Sequence, residues 1–160
     1  MWKLMGLILG FFLVVSCADS KKALECSEAD DQKTETMLFE VVANGILSGA
    51  GEEGIEESNV VIQSQEAWDR LLFKMDAVNT ESNFFVKKAV DLTESTVIAC
   101  FDQVQSSGGY SLKIADVQEG ENQIQVAIKK TSPNGIATSV MTQPYYIIII
   151  PKTSKEIIFY

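Results

Sequence analysis

Histidine is missing from all 160 residues. Its absence excludes a Ser-His-Asp triad, a Cys-His dyad and any imidazole metal ligand. Cysteine is scarce: Cys17, Cys26 and Cys100 are the only three, and no CxxC pair occurs among them. Nothing in the sequence therefore reads as a metal site or a cofactor site, and none is expected. Basic residues are also short, with 13 Lys plus Arg against 22 Asp plus Glu and a formal net charge of -9. A surface of that sign repels phosphate backbones, so nucleic acid is not an expected partner. No Ser-x-x-Lys signature appears and no spacing singles out a carboxylate pair, so the chain is not expected to be an enzyme.

Apolar residues are plentiful, at 46% of the chain, and they begin at once. After Met1-Trp2-Lys3 an unbroken apolar run extends from Leu4 to Val15 and ends at Ser16-Cys17. A basic start and about a dozen apolar residues have the form of a secretory signal. The run is too short to span a bilayer core as a helix, which needs ~20 residues. Val14-Val15-Ser16-Cys17 resembles the lipobox of bacterial lipoproteins. That resemblance implies cleavage between Ser16 and Cys17 and acylation of Cys17. Acyl chains contribute ~0.8 kcal/mol per buried methylene, so two or three would hold a soluble domain on a membrane. The expected divisions are a signal peptide over 1–16, a flexible lipidated tether over 17–36 rich in Ser, Asp, Glu and Lys, and one domain over 37–160. The expected location is the bacterial cell envelope, at the outer membrane or cell surface. Export would permit a Cys26–Cys100 disulfide, but Cys100 in the apolar stretch 96–101 reads more simply as a small core residue.

From Met37 onward the pattern is mostly strand. Residues 37–42 favour β structure and stop at Asn44-Gly45, a turn signal, and Asn59-Val60-Val61-Ile62 returns as a second strand. Between them lies a Gly-rich loop with Glu52, Glu53, Glu56 and Glu57. Calcium favours such oxygens, but the alternating ligand spacing of a dedicated loop is lacking, and a solvated loop is the simpler reading. One helix is legible: Ser64 caps it, Glu66 and Lys74 suit its first and last turns, and Trp68, Leu71, Leu72 and Met75 form one apolar stripe. Short apolar runs follow at 84–86, 90–92 and 97–101. Tyr110, Leu112 and Ile114 then alternate with polar residues, as do Ile124, Val126 and Ile128, with Glu119-Gly120-Glu121-Asn122 as the intervening turn. Tyr145 to Ile150 is apolar without a break, which suits a strand covered on both faces. The expected fold is α+β: a mainly antiparallel sheet (roll, sandwich or open barrel) with one packed amphipathic helix.

Ser106-Ser107-Gly108-Gly109-Tyr110 combines two glycines, free to take positive φ, with the start of a patterned strand. It reads either as a turn feeding the hairpin or as a protein-binding tip formed by Ser107, Gly108, Gly109 and Tyr110. On the second reading, valine at 109 is expected to weaken partner binding and leave the fold intact. From this point the chain resembles the C-terminal domain of the protease complex subunit PrcB over about 97–159. The resemblance is carried by Gly108-Gly109-Tyr110-Ser111, Thr131-Ser132-Pro133, Thr142-Gln143-Pro144-Tyr145-Tyr146 and Ile150-Pro151-Lys152. Asp102-Gln103-Val104-Gln105 stands where the family usually carries a Gly and an Arg-Pro-like pair. The resemblance implies a non-enzymatic accessory that binds and stabilises a secreted or surface protease complex, with a subtilisin-like protease as the partner. Alternatives are a protease inhibitor with chagasin-like loop presentation, to which Gly109-Tyr110 bears a local likeness, and a small-ligand-binding envelope lipoprotein.

Overall fold

The structure is a computed structural model and describes residues 34–160. The signal peptide, Ser16, Cys17, Cys26 and nearly all of the expected tether lie outside the described residues. Eight strands and one α-helix follow in the order β1 (Glu35–Thr36), β2 (Glu40–Leu47), β3 (Ser58–Ile62), α1 (Gln65–Met75), β4 (Ser95–Phe101), β5 (Ser111–Glu119), β6 (Gln123–Thr131), β7 (Gln143–Pro151) and β8 (Glu156–Phe159). They form two four-stranded sheets, β1-β5-β6-β8 and β2-β7-β4-β3. All pairs are antiparallel except β6 with β8. Neither sheet closes on itself, so of the expected arrangements the open, stacked sheets of a sandwich are the one formed.

Three layers result, because β4 and β7 are apolar on both faces. Ile98, Cys100, Ile148 and Ile150 pack against Leu112, Ile114, Val117, Ile124 and Val126 of the other sheet. On the opposite face Val97, Ala99, Phe101, Tyr145, Ile147 and Ile149 pack under Trp68 and Met75 of α1. Ile147, Ile148 and Ile150 are at most 1% exposed, so the unbroken aliphatic run is a central strand with a core on each side.

The helix starts where its cap predicts. Ser64 Oγ accepts from Ala67 N at 3.3 Å, with Glu66 in the first turn and Lys74 in the last. Trp68 is buried, its Nε1 donates to Lys88 O at 3.3 Å, and its ring lies 6.1 Å from that of Phe85. The apolar runs at 84–86 and 90–92 are not strands. Glu81–Phe84 is a short 3-10 turn, and the following segment runs beside β2, with Val86 N donating to Val42 O at 2.9 Å.

Asn44-Gly45 is the clearest departure from the sequence reading. It does not end β2, which continues to Leu47 paired with β7. Gly45 sits opposite Tyr145, whose hydroxyl would lie 3.1 Å from a Cβ at 45. The glycine makes room for an aromatic ring and no turn is required. At the other boundary Glu35 and Thr36, drawn as tether, pair with Glu119 and Gln118 of β5.

Candidate functional site

The segment singled out in sequence, 107–110, lies where the chain passes from β4 to β5, against the connection between β6 and β7. Gln105 and Thr142 exchange backbone hydrogen bonds (2.7 and 3.1 Å), and Thr142 Oγ1 donates to Ser107 O at 2.9 Å. Gly108 is buried, its N–H donates to Thr138 O at 3.0 Å, and a Cβ there would meet Thr138 Oγ1 at 2.4 Å. Gly109 has φ of 87°, and a Cβ there would fall 2.8 Å from Pro133 Cβ. Ser107 and Tyr110 are half-buried. Both glycines are thus committed to packing one loop against another, so valine at 109 would disturb the fold instead of leaving it intact. What projects from this end is the covering loop, through Ile136, Val140 and Met141.

The Thr142-Gln143-Pro144-Tyr145 motif ties several loops to the sheet end. Gln143 Nε2 donates to Ile55 O and to Asp102 O, each at 2.8 Å, and Pro144 O accepts from Asp102 N at 2.9 Å. Tyr145 Oη donates to Glu81 Oε1 at 2.6 Å. Burial, reinforced by that bond and by the Glu81 charge, raises the phenol's pKa above its ordinary value.

The acidic loop is anchored from within. Glu53 is buried, and its Oε1 accepts from Gly49 N at 2.8 Å, while Oε2 has no hydrogen-bond partner. Glu52 and Glu56 are exposed. Among the described residues no group of three Asp, Glu, Cys or His side chains is placed to hold a metal ion. Glu57 is bonded to Lys130 Nζ, which also lies 2.6 Å from Asp102 Oδ1. Partial burial tends to lower the Lys130 pKa, but the hydrogen bonds and charges of Asp102 and Glu57 outweigh it and leave it raised. Lys130 of β6 therefore links the sheet of β5 and β6 to the end of β4 and the start of β3.

Two grooves flank β3. One, of about 590 Å³, lies between the strand and α1 and is lined by Val60, Ile62, Ala67, Arg70, Leu71 and Lys74 among others. The other, of about 430 Å³, lies on the side of the second sheet, between Asn59, Phe101, Ile128, Lys130 and Phe159. Sequence reading found β3 as a strand but not as an edge, because edge position follows from long-range pairing.

With this geometry the comparison with known families becomes informative. Residues 96–151 match the PrcB C-terminal family. The match starts in β4, takes in β5 and β6, and ends at Pro151 in β7, so it spans the stacked centre of both sheets. Three of the four PrcB-like motifs fall at one end of that centre, where Gly108, Pro133, Thr142, Gln143 and Tyr145 tie the loops together, and Ile150-Pro151-Lys152 lies at the opposite end of β7. β2, β3, α1 and β8 lie outside the PrcB C-terminal match. No curated protein and no solved structure gives a significant match to the chain. The PrcB C-terminal match fits an accessory role in a protease complex in general terms.

Proposed function

We propose that this chain is a lipid-anchored, non-catalytic accessory protein of the bacterial cell envelope that binds and stabilises a protease complex, with a subtilisin-like enzyme as the partner. The PrcB C-terminal match over residues 96–151 carries the reading. Support for the anchor comes from the sequence, where the apolar run ends at Ser16-Cys17. A net charge of -9 gives the body no attraction to anionic headgroups, so the acyl chains on Cys17 do the anchoring.

Two measurements test the two parts. Cys17→Ser should leave an uncleaved precursor, and so should blocking lipoprotein signal peptidase in cells; a precursor-sized band absent from both would remove the lipoprotein part. Tagged, lipidated protein recovered from native membranes in mild detergent should bring down a secreted or surface protease in stoichiometric amount. Recovery of the bait alone would remove the accessory role.

A further inference from the structure

The sheet edges of this molecule are blunted with one exception. β1 is two residues long and β8 four. β2 carries a bulge between Val41 and Ala43, and its outer side is bonded by Val86 N. These are ordinary ways of stopping an edge from recruiting another strand. β3 uses none of them. Its register with β4 is unbroken through all five pairs, from Ser58 opposite Phe101 to Ile62 opposite Val97. It contains no proline and no charged residue, and Val60 and Val61 are 37% and 38% exposed. β4 is its one neighbour in the sheet among the described residues, which leave the outer row of backbone N–H and C=O groups open to another strand.

The two grooves flanking β3 lie on opposite faces of it. Successive side chains of an added strand point to opposite faces, so one set would enter the groove beside α1 and the other set the groove beside Asn59, Ile128 and Phe159. Both contain apolar walls. Of the charged residues lining the first groove, Arg70 is held by Glu66 and Glu57 by Lys130, which leaves Lys74, on the α1 side, and Glu56 exposed with no ion-pair partner among the described residues. An ammonium so placed is answered by a carboxylate on the incoming chain. A second copy is disfavoured, since Ser58–Ile62 carries no acidic side chain, Glu57 just before it is already held by Lys130, and two chains of net charge -9 repel each other.

We propose that the outer edge of β3 is a strand-addition site for an extended segment of the protein partner, apolar at alternate positions and carrying a carboxylate beside Lys74. The proposal rests on the accessory reading for the existence of a protein partner. Main-chain hydrogen bonds would supply affinity, and the two grooves would supply selectivity. The β3 edge and α1 precede the PrcB C-terminal match, whereas Phe101, Ile128 and Lys130 of the second groove lie within it.

The test uses the full lipidated chain in mild detergent and a fluorescent octapeptide alternating valine and threonine with one central glutamate. Binding should be saturable, and hydrogen exchange should slow at 57–62. Methylating alternate backbone nitrogens of the peptide, which spares its side chains, should weaken binding at least tenfold. Val60→Lys should do the same without shifting the melting temperature, and Lys74→Glu should weaken binding of the glutamate peptide but not of a lysine version. Protection elsewhere, equal binding of the methylated peptide, or no binding at millimolar peptide would overturn the site. Concentration-dependent protection of 57–62 without peptide would overturn it in favour of a second copy. If wild-type and Val60→Lys chains recover a protease equally, the edge fails and the accessory role stands. If the peptide binds as expected but no protease is recovered, the reverse holds.

Discussion

At Gly109 a single methyl group would meet two obstacles. The φ of 87° is a conformation that L side chains adopt at a cost, and Pro133 Cβ stands 2.8 Å from where the new carbon would lie. Gly109→Ala should therefore destabilise the fold by about 1–3 kcal/mol, seen as a lower urea midpoint; an unchanged midpoint would mean that the loop yields freely. The need for positive φ was legible in the glycine pair. The obstacle was not, because Pro133 is brought there by the β5–β6 hairpin and no local pattern announces it. Gly45 teaches the same lesson in reverse. Asn44-Gly45 has the composition of a turn, yet the ring of Tyr145, a hundred residues on, makes it part of a strand.

Among elements, α1 was the most legible, since a cap, two charges and an apolar stripe are all local signals. Its hold on the sheet depends on Trp68, which is 1% exposed and packed against Phe85. Trp68→Ala should cost about 3–5 kcal/mol and lower the melting temperature accordingly. A smaller change would show that Leu71, Leu72 and Phe85 close the gap. The β5–β6 hairpin was legible for the same reason as the helix, with alternation on both arms and Gly120 in the turn. β8 contains the apolar run Ile157-Ile158-Phe159, but its parallel pairing with β6 depends on a return crossing that sequence does not encode locally. The binding edge was illegible in the same way: Ser58–Ile62 reads as a strand, and only the order β2-β7-β4-β3 makes it an outer one.

At the scale of the whole molecule, two weak acids are buried on opposite sides of one sheet. Burial pushes the Cys100 thiol up to about 12, and Tyr145 is raised by burial and Glu81. In the unfolded chain these groups titrate near ~8.5 and ~10. Both folded-state values are raised, so the stabilisation is fully present below the unfolded values and is lost as pH rises towards the folded ones. Urea midpoints should hold steady to about pH 8 and fall from pH 9 upward, with a slope of up to about 1.4 kcal/mol per pH unit for each group. Cys100→Ala should flatten the first part of that fall, and an unchanged slope would show that the thiol is not its source. Lys130 links the two sheets through Asp102, which is 3% exposed, and Glu57. Lys130→Met leaves the Asp102 carboxylate without its cation and should cost about 1–3 kcal/mol by urea denaturation; a neutral result would show that Gln105, whose Nε2 donates to Asp102 Oδ2 at 3.1 Å, suffices as its partner.

The position of β7 in the chain sets an order of events. β2 and β4 are joined only through β7, which lies between them, and β2 must wait for a partner about a hundred residues downstream. A chain emerging N-terminus first can form the β5–β6 hairpin and nucleate α1 early, but neither core can close before 143–151 has arrived. Until then β3–β4 and β5–β6 can pair, but their apolar faces lack the strand that covers them. Closure of both cores is thereby postponed until the last long strand is available, and the stretch that ends the delay is also the chain's most aggregation-prone, so arrival and burial of Ile147–Ile150 must nearly coincide.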